Sequence, residues 1–162
     1  IYSDYSEFDL HDRKPEFVVI GDRGNKWNYD DLNKAFRYLM EGAGLIALHK
    51  GRYFQTLQGL KIDIGAIITG LEYSSGQTAI SLGKPNPKFF QTALEDISIG
   101  SGKAIMVGDD LINDIGGAQR TGMKGVLVRT GKFRKSDLSH SDVKPDFIIE
   151  SINELEDILS LI

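Results

Sequence analysis

Ala104-Ile105-Met106-Val107-Gly108-Asp109-Asp110-Leu111-Ile112-Asn113-Asp114 is the stretch from which the rest of this chain is read. Its four leading apolar residues predict a strand, and Gly108 lets the backbone turn sharply where the strand ends. The carboxylates then arrive just past the strand's carboxyl end, the edge at which open parallel α/β sheets bind ligands. Asp109 offers hard oxygens suited to Mg²⁺, which keeps several waters and needs only one or two protein carboxylates. Asp110 and Asp114 stand four apart, so on a helix beginning here they share a face and can orient ligands or a neighbouring lysine. A single Asp in this place would be ordinary capping of a helix dipole. Three in this arrangement point to a metal site, with Asp109 as ligand and Asp110 and Asp114 in support.

Upstream, Gly83-Lys84-Pro85 closes a predicted strand at Thr78–Leu82, and Asn86-Pro87 is a strong helix start, with Asn as cap and Pro in the first turn. A lysine fixed at a strand end by a following proline presents one positive charge. Alone it is an ordinary turn lysine. Beside a carboxylate cluster it completes a phosphate-plus-metal site, which is what phosphoryl transfer needs in the way of charge neutralisation and positioning.

The same alternation of strand and helix runs through the chain and predicts an α/β fold with a parallel sheet. Phe17–Ile20 reads as a buried strand. A helix follows from Tyr29, capped by Asn28, ended by Gly42 and facing inward through Tyr29, Leu32, Phe36, Leu39 and Met40. Leu45–Leu48 is a strand, His49–Phe54 leads to a polar turn at Gln58-Gly59, and Ile64–Tyr73 is a helix. After Gly76 come a helix with Phe89, Phe90, Ala93, Leu94 and Ile97 on one face, the strand at 104–107 and a helix through Arg120. Strands at Val126–Val128 and Phe147–Ile149 and a helix at Ile152–Leu161 complete the chain. A boundary near Gly76 divides residues 1–76 from residues 77–162.

Composition narrows the function. Nineteen Lys and Arg against 23 Asp and Glu, a net charge of −4, give no reason to expect nucleic acid. With no cysteine, disulfides, zinc–thiolate sites and a Cys nucleophile are excluded. No apolar run approaches the ~20 residues that span a bilayer, so no membrane partner is expected, and no apolar signal-peptide centre is present. These features suggest a cytoplasmic protein. Ile at position 1 suggests a piece of a longer chain. His11, His49 and His140 are too far apart for a local metal motif, and Arg52 with Tyr53 and Phe54 serves either an anionic ligand or packing.

Taken in order, Lys84-Pro85, Gly108-Asp109-Asp110 and Asp114 resemble the third and fourth motifs of the haloacid-dehalogenase superfamily. Gly116-Gly117-Ala118-Gln119-Arg120-Thr121-Gly122-Met123 and Val128-Arg129-Thr130-Gly131-Lys132-Phe133 are similar to its capped, NagD-like branch. So are His49-Lys50-Gly51-Arg52-Tyr53 and Leu71-Glu72-Tyr73. The resemblance implies that residues 1–76 belong to an α/β cap and residues 77–162 to the C-terminal part of a Rossmann-like core. It implies a Mg²⁺-dependent phosphatase for a small phosphorylated compound or inorganic pyrophosphate. Lys84 would bind phosphate and Asp109 the metal, and a homodimer is compatible with it. The family's nucleophilic Asp sits on a first core strand followed by Gly. Asp4-Tyr5-Ser6 has no apolar strand before it and Glu7 after it, so the nucleophile, which would form an aspartyl-phosphate, is expected outside these 162 residues. This chain alone is then expected to be inactive. Two alternatives stay open: a catalytically inactive binding module on the same scaffold, and a receiver-like Mg²⁺-binding signalling domain. The latter takes its paired acids from the first strand and its lysine after them, the reverse of the order here.

Overall fold

Three sheets form within residues 5–10 and 13–160, the part of the chain that the computed structural model describes. The first is parallel, in the order β1–β2–β5, from Phe17–Ile20 (β1), Gly44–Ala47 (β2) and Ile80–Ser81 (β5). Its register aligns Phe17 with Gly44 and Ile46 with Ile80. Helices α1 (Tyr29–Met40) and α2 (Gly65–Ser75) supply the covering layer, and Ala35, Leu39, Ile64, Ile68 and Leu71 close a core over Ile20, Leu45 and Ala47. The Asn28 side chain accepts the Asp31 N–H at 2.9 Å and starts α1 as its sequence predicts. Gly76, at φ +71°, ends α2 with a left-handed cap.

Several expectations change here. β1 is not buried on both faces: Phe17 is 51% and Val19 45% exposed, and with Ile80 at 55% they leave one face of the sheet apolar and open. Tyr29 and Met40 also point outward, at 76% and 60% exposure, because the packed stripe of α1 runs through Ala35 and Leu39. Periodicity undervalues that alanine. The expected strand at Thr78–Leu82 shortens to Ile80–Ser81, and it hydrogen-bonds to β2. The strand just beyond Gly76 is therefore the third strand of the first sheet, so a line drawn at Gly76 cuts that sheet.

Between β2 and α2 the chain makes an antiparallel hairpin, β3 (Tyr53–Thr56) and β4 (Gly59–Ile62), where only a polar turn was expected. The Thr56 hydroxyl donates to the Gly59 carbonyl at 2.8 Å, and Gly59 adopts φ +111° to reverse the chain. Mostly exposed, β4 carries no burial pattern that would mark it as a strand.

The second sheet is parallel in the order β6–β7–β8, from Ile105–Gly108, Lys124–Val128 and Phe147–Ile149. Leu127 faces Leu111 and Ile115, while Val126, Val128 and Ile149 face the opposite way, with Leu155 and Ile158 packed against them. Both faces of β7 are thus covered, as parallel strands require. Helix α3 (Pro87–Asp96) is capped by Asn86 and buries Phe90 and Leu94, leaving Phe89 and Ile97 outside. The long helix expected after Asp110 is instead a π-helical turn, Leu111–Gly116, followed by the short α4 (Gly117–Gln119). Its cause is visible in the hydrogen bonds: the Asp110 carbonyl accepts from Asp114 at 2.9 Å and from Ile115 at 3.3 Å. Two further helices, α5 (Lys135–His140) and α6 (Leu155–Leu159), complete the element order. Leu161, placed in the last helix by its sequence, lies outside the described residues.

Candidate functional site

Gly108 ends β6, and the next six residues build a small polar shell around one nearly buried carboxylate. Asp114, with 7% of its side chain exposed, receives the Lys84 ammonium on Oδ1 at 2.7 Å. Its Oδ2 accepts the backbone N–H of Asp110 at 3.2 Å. A Cβ at position 108 would fall on the Asp114 carboxylate, so glycine is needed there for close approach as well as for the turn. Of the residues that the sequence assigns to one site, Lys84 and Asp114 meet beyond the carboxyl end of β6.

What brings Lys84 there is the packing of α3 against α4. Gly117 lets Phe90 and Pro85 lie directly against the backbone, with its missing Cβ only 3.2 Å from Pro85 Cα. The Arg120 guanidinium donates to the Pro85 carbonyl at 2.8 Å. The Lys84–Pro85 peptide bond is cis.

The three aspartates have different duties. Asp110 caps the π-helical turn: its Oδ1 accepts the N–H groups of Ile112 and Asn113 at 3.2 and 2.9 Å, and its Oδ2 accepts the Asn113 side-chain amide at 2.8 Å. Lys132 reaches the same Oδ2 at 3.4 Å. Burial works against this carboxyl's charge, but the bonds from Asn113 and the Lys132 ammonium outweigh it and hold the group below its usual range. Capping is thus the structural work of Asp110, whereas Asp114 anchors the lysine. Asp109 does neither. Its Oδ2 accepts the Lys132 backbone N–H at 2.7 Å, and its Oδ1 receives no hydrogen bond from the described residues. A half-buried carboxylate with one oxygen held and one oxygen open is a fitting hard ligand for a divalent cation, which needs few protein donors. Among the described residues no three His, Cys, Asp or Glu side chains gather as a metal cage.

Two positions that the motif reading did not place in the site belong to it. Gly131, at φ +51°, leaves room where a Cβ would strike Asp109 Oδ2, and Lys132 supplies both the backbone donor to Asp109 and the ammonium near Asp110. The run Val128–Phe133 carries a family likeness but no site residue by local spacing, because the loop's return to β6 is a long-range contact. Of the remaining candidates, Asp4 and His11 lie outside the described residues. His49 lies 3.9 Å from Asp63, and the His140 ring pairs with the Ser136 carbonyl at 2.7 Å.

A cleft of about 320 Å³ opens beside this shell, with Asp110, Asn113 and Lys132 on one side and Lys50, Arg52 and Tyr53 on the other. Arg134 ties the sides together by donating to Gln55 of the hairpin at 3.2 Å.

A HAD-hydrolase-like family model matches residues 81–155, the segment containing Lys84, Asp109, Asp110 and Asp114. Phospholysine phosphohistidine inorganic pyrophosphate phosphatase of Bos taurus is 46% identical over 157 residues, covering 95% of this chain. The chain spans 58% of that relative's length. Among solved structures, the 4-nitrophenylphosphatase of Thermotoga maritima superposes with a TM-score of 0.86 at 30% identity, over 96% of this chain and 59% of its own. The glycerol phosphate phosphatase of Mycobacterium tuberculosis, solved in complex with calcium, gives a TM-score of 0.78 at 27% identity, over 89% of this chain and 42% of its own. The motif order, the α/β architecture with parallel sheets and these likenesses agree on a haloacid-dehalogenase-like α/β fold, and the chain is similar to that family's phosphatases over the part of their length that it spans.

Proposed function

We propose that this chain is the metal- and phosphate-binding portion of a haloacid-dehalogenase-type phosphatase acting on a small phosphorylated compound or inorganic pyrophosphate. The observation that carries this is Lys84, held at 2.7 Å by the nearly buried Asp114 at the strand end that also presents Asp109. An ammonium anchored by a buried carboxylate is pre-oriented and loses little freedom when it meets a phosphoryl oxygen. Asp109, with one open oxygen, would hold Mg²⁺, which when bound neutralises phosphoryl charge. The calcium in the Mycobacterium phosphatase supports a divalent ion in that protein and lends weight to one here.

The attacking aspartate, on this reading, comes from a segment outside these 162 residues and forms the aspartyl-phosphate beside β6, which lies at the margin of its sheet. The first sheet with its hairpin would be the cap, extending through β5. A homodimer and a cytoplasmic location belong to the same reading; the open apolar face at Phe17, Val19 and Ile80 supports the former. No helix among the described residues is long and apolar enough to cross a membrane.

The test is phosphate release by the full-length protein from pyrophosphate and from an aryl phosphate. Lys84→Ala is expected to lower kcat/KM by about a hundredfold or more, the scale for losing a charge contact made to the transition state. Asp109→Asn is expected to raise the Mg²⁺ concentration needed for half-maximal rate. Near-normal turnover and metal dependence in both variants would reject the roles given to Lys84 and Asp109, and no phosphate release by the unaltered full-length protein would favour the inactive binding module.

A further inference from the structure

Charge compensation around the cleft singles out one side chain. Lys50 is engaged by Glu72 at 2.5 Å, and Lys132 lies 3.4 Å from Asp110. Arg52, on the side opposite Asp110, has no carboxylate within ion-pair distance among the described residues, and its guanidinium lies 6.0 Å from the centre of the Tyr53 ring. Asp110 and Asp137 are the carboxylates that line the cleft, and the oxygens of Asp110 are occupied by donors. That leaves a cleft with three cations against two carboxylates, and only Arg52 of the three has no anion of its own.

The backbone under Arg52 is firmly built. Its carbonyl accepts the Asp63 N–H at 3.2 Å, and the preceding Gly51 carbonyl accepts the Gly65 N–H at 2.9 Å. A side chain at position 51 would collide with the Asp63 carboxylate, so the loop is pressed against the start of α2. Glu72 uses its second oxygen to accept the Ala79 N–H at 2.9 Å, which fixes the lysine's partner in turn. An exposed guanidinium without a carboxylate partner among the described residues, carried on a firmly held backbone and lining the cleft opposite Asp110 and Lys132, offers a fork to a second anionic group.

Resting on the phosphatase reading, we infer that Arg52 is the specificity-determining residue for substrates carrying a second anionic group beyond the phosphoryl that reacts, such as a further phosphate. Lys84 holds the reacting phosphoryl group, and Arg52 receives the distal one across the cleft. The chemistry at the reacting phosphorus is the same for a substrate with a neutral distal group, which gains nothing from Arg52.

Steady-state hydrolysis by the full-length protein separates the possibilities, with inorganic pyrophosphate compared against phenyl phosphate. Arg52→Ala is expected to raise KM for pyrophosphate about tenfold while leaving both constants for phenyl phosphate within twofold. Arg52→Lys is expected to recover part of the loss, since the charge remains and the fork does not. Equal losses on both substrates, or none on either, would overturn the assignment. Indifference to Lys84→Ala defeats the phosphatase reading instead. Should neither substrate turn over, titration calorimetry with pyrophosphate and with inorganic phosphate decides: pyrophosphate binding that is absent, or unchanged in Arg52→Ala, also overturns it.

Discussion

Asp114 serves two neighbours, one with each oxygen, and Gly108 decides whether it can. Oδ1 takes the Lys84 ammonium and Oδ2 takes the Asp110 N–H, in a space that exists only because residue 108 has no Cβ. Gly108→Ala would push the carboxylate off both partners and leave a nearly buried charge poorly matched. Overpacking of this kind typically costs about 1–3 kcal/mol, so the urea midpoint should fall with the m-value unchanged. Loss of Lys84 orientation should also lower phosphatase turnover in the full-length protein more than thermal stability alone explains. A variant as stable as wild type would mean that Asp114 relaxes freely, and that glycine serves only the turn. Gly131 stands in the same relation to Asp109, so each of the two carboxylates is faced by a missing Cβ.

Among the elements, the joint between β7 and β8 is held by a carboxylate that faces outward. Asp146 Oδ2 accepts the Gly125 N–H at 2.8 Å and the Gln119 side-chain amide at 2.9 Å, tying the residue just before β8 to β7 and to the end of α4. The Gly125 N–H is the main cause that draws this carboxyl below its usual range; partial burial opposes it, and Gln119 adds to it. A carboxyl depressed in the folded state contributes stability that is present above its unfolded pKa, about 4, and is lost as pH falls through the folded value. Asp110 and Glu72 are shifted in the same direction, Asp110 through Asn113 and Lys132 against burial and Glu72 through Lys50 and Ala79 against burial. Urea midpoints are therefore expected to hold between pH 7 and 5 and to drop below about pH 4. Asp146→Asn should lower the midpoint at pH 7 and flatten part of the acid slope. An unchanged slope in that variant would show that the bond to Gly125 does not depend on the charge.

At the scale of the whole molecule, a cleft separates the polar shell beyond β6 from the Lys50–Tyr53 stretch, and on the proposed reading the groups around it are a phosphate-binding cation, a metal ligand and an anion-binding rim. None of these attacks phosphorus. On the proposed reading this chain, purified alone, should release no phosphate from pyrophosphate or an aryl phosphate even with ample Mg²⁺, while the full-length protein does, because positioning and charge stabilisation need a nucleophile to act on. Substantial turnover by these 162 residues, abolished by Asp109→Ala, would place the nucleophile within them, and the stretch Asp4–Asp9 would be the first place to look.

Local chemistry in the sequence is enough for the order of the parallel strands and of helices α1, α2, α3 and α6, the caps at Asn28 and Asn86, the Gly76 stop, and the run of carboxylates after β6. Each depends on residues within one turn or one strand of each other, where dihedral preference and capping act without help from the fold. The lysine was legible too, as a motif, but its contact with Asp114 spans 30 residues and depends on Gly117 admitting Phe90 and Pro85. Only the tertiary structure decided that β5 joins the first sheet, that the helix after Asp110 widens into a π-helical turn, and that a hairpin lies between β2 and α2. It also separated the duties of three aspartates that look alike in sequence, because capping, anchoring and standing open are set by which donors the folded chain brings to each carboxylate.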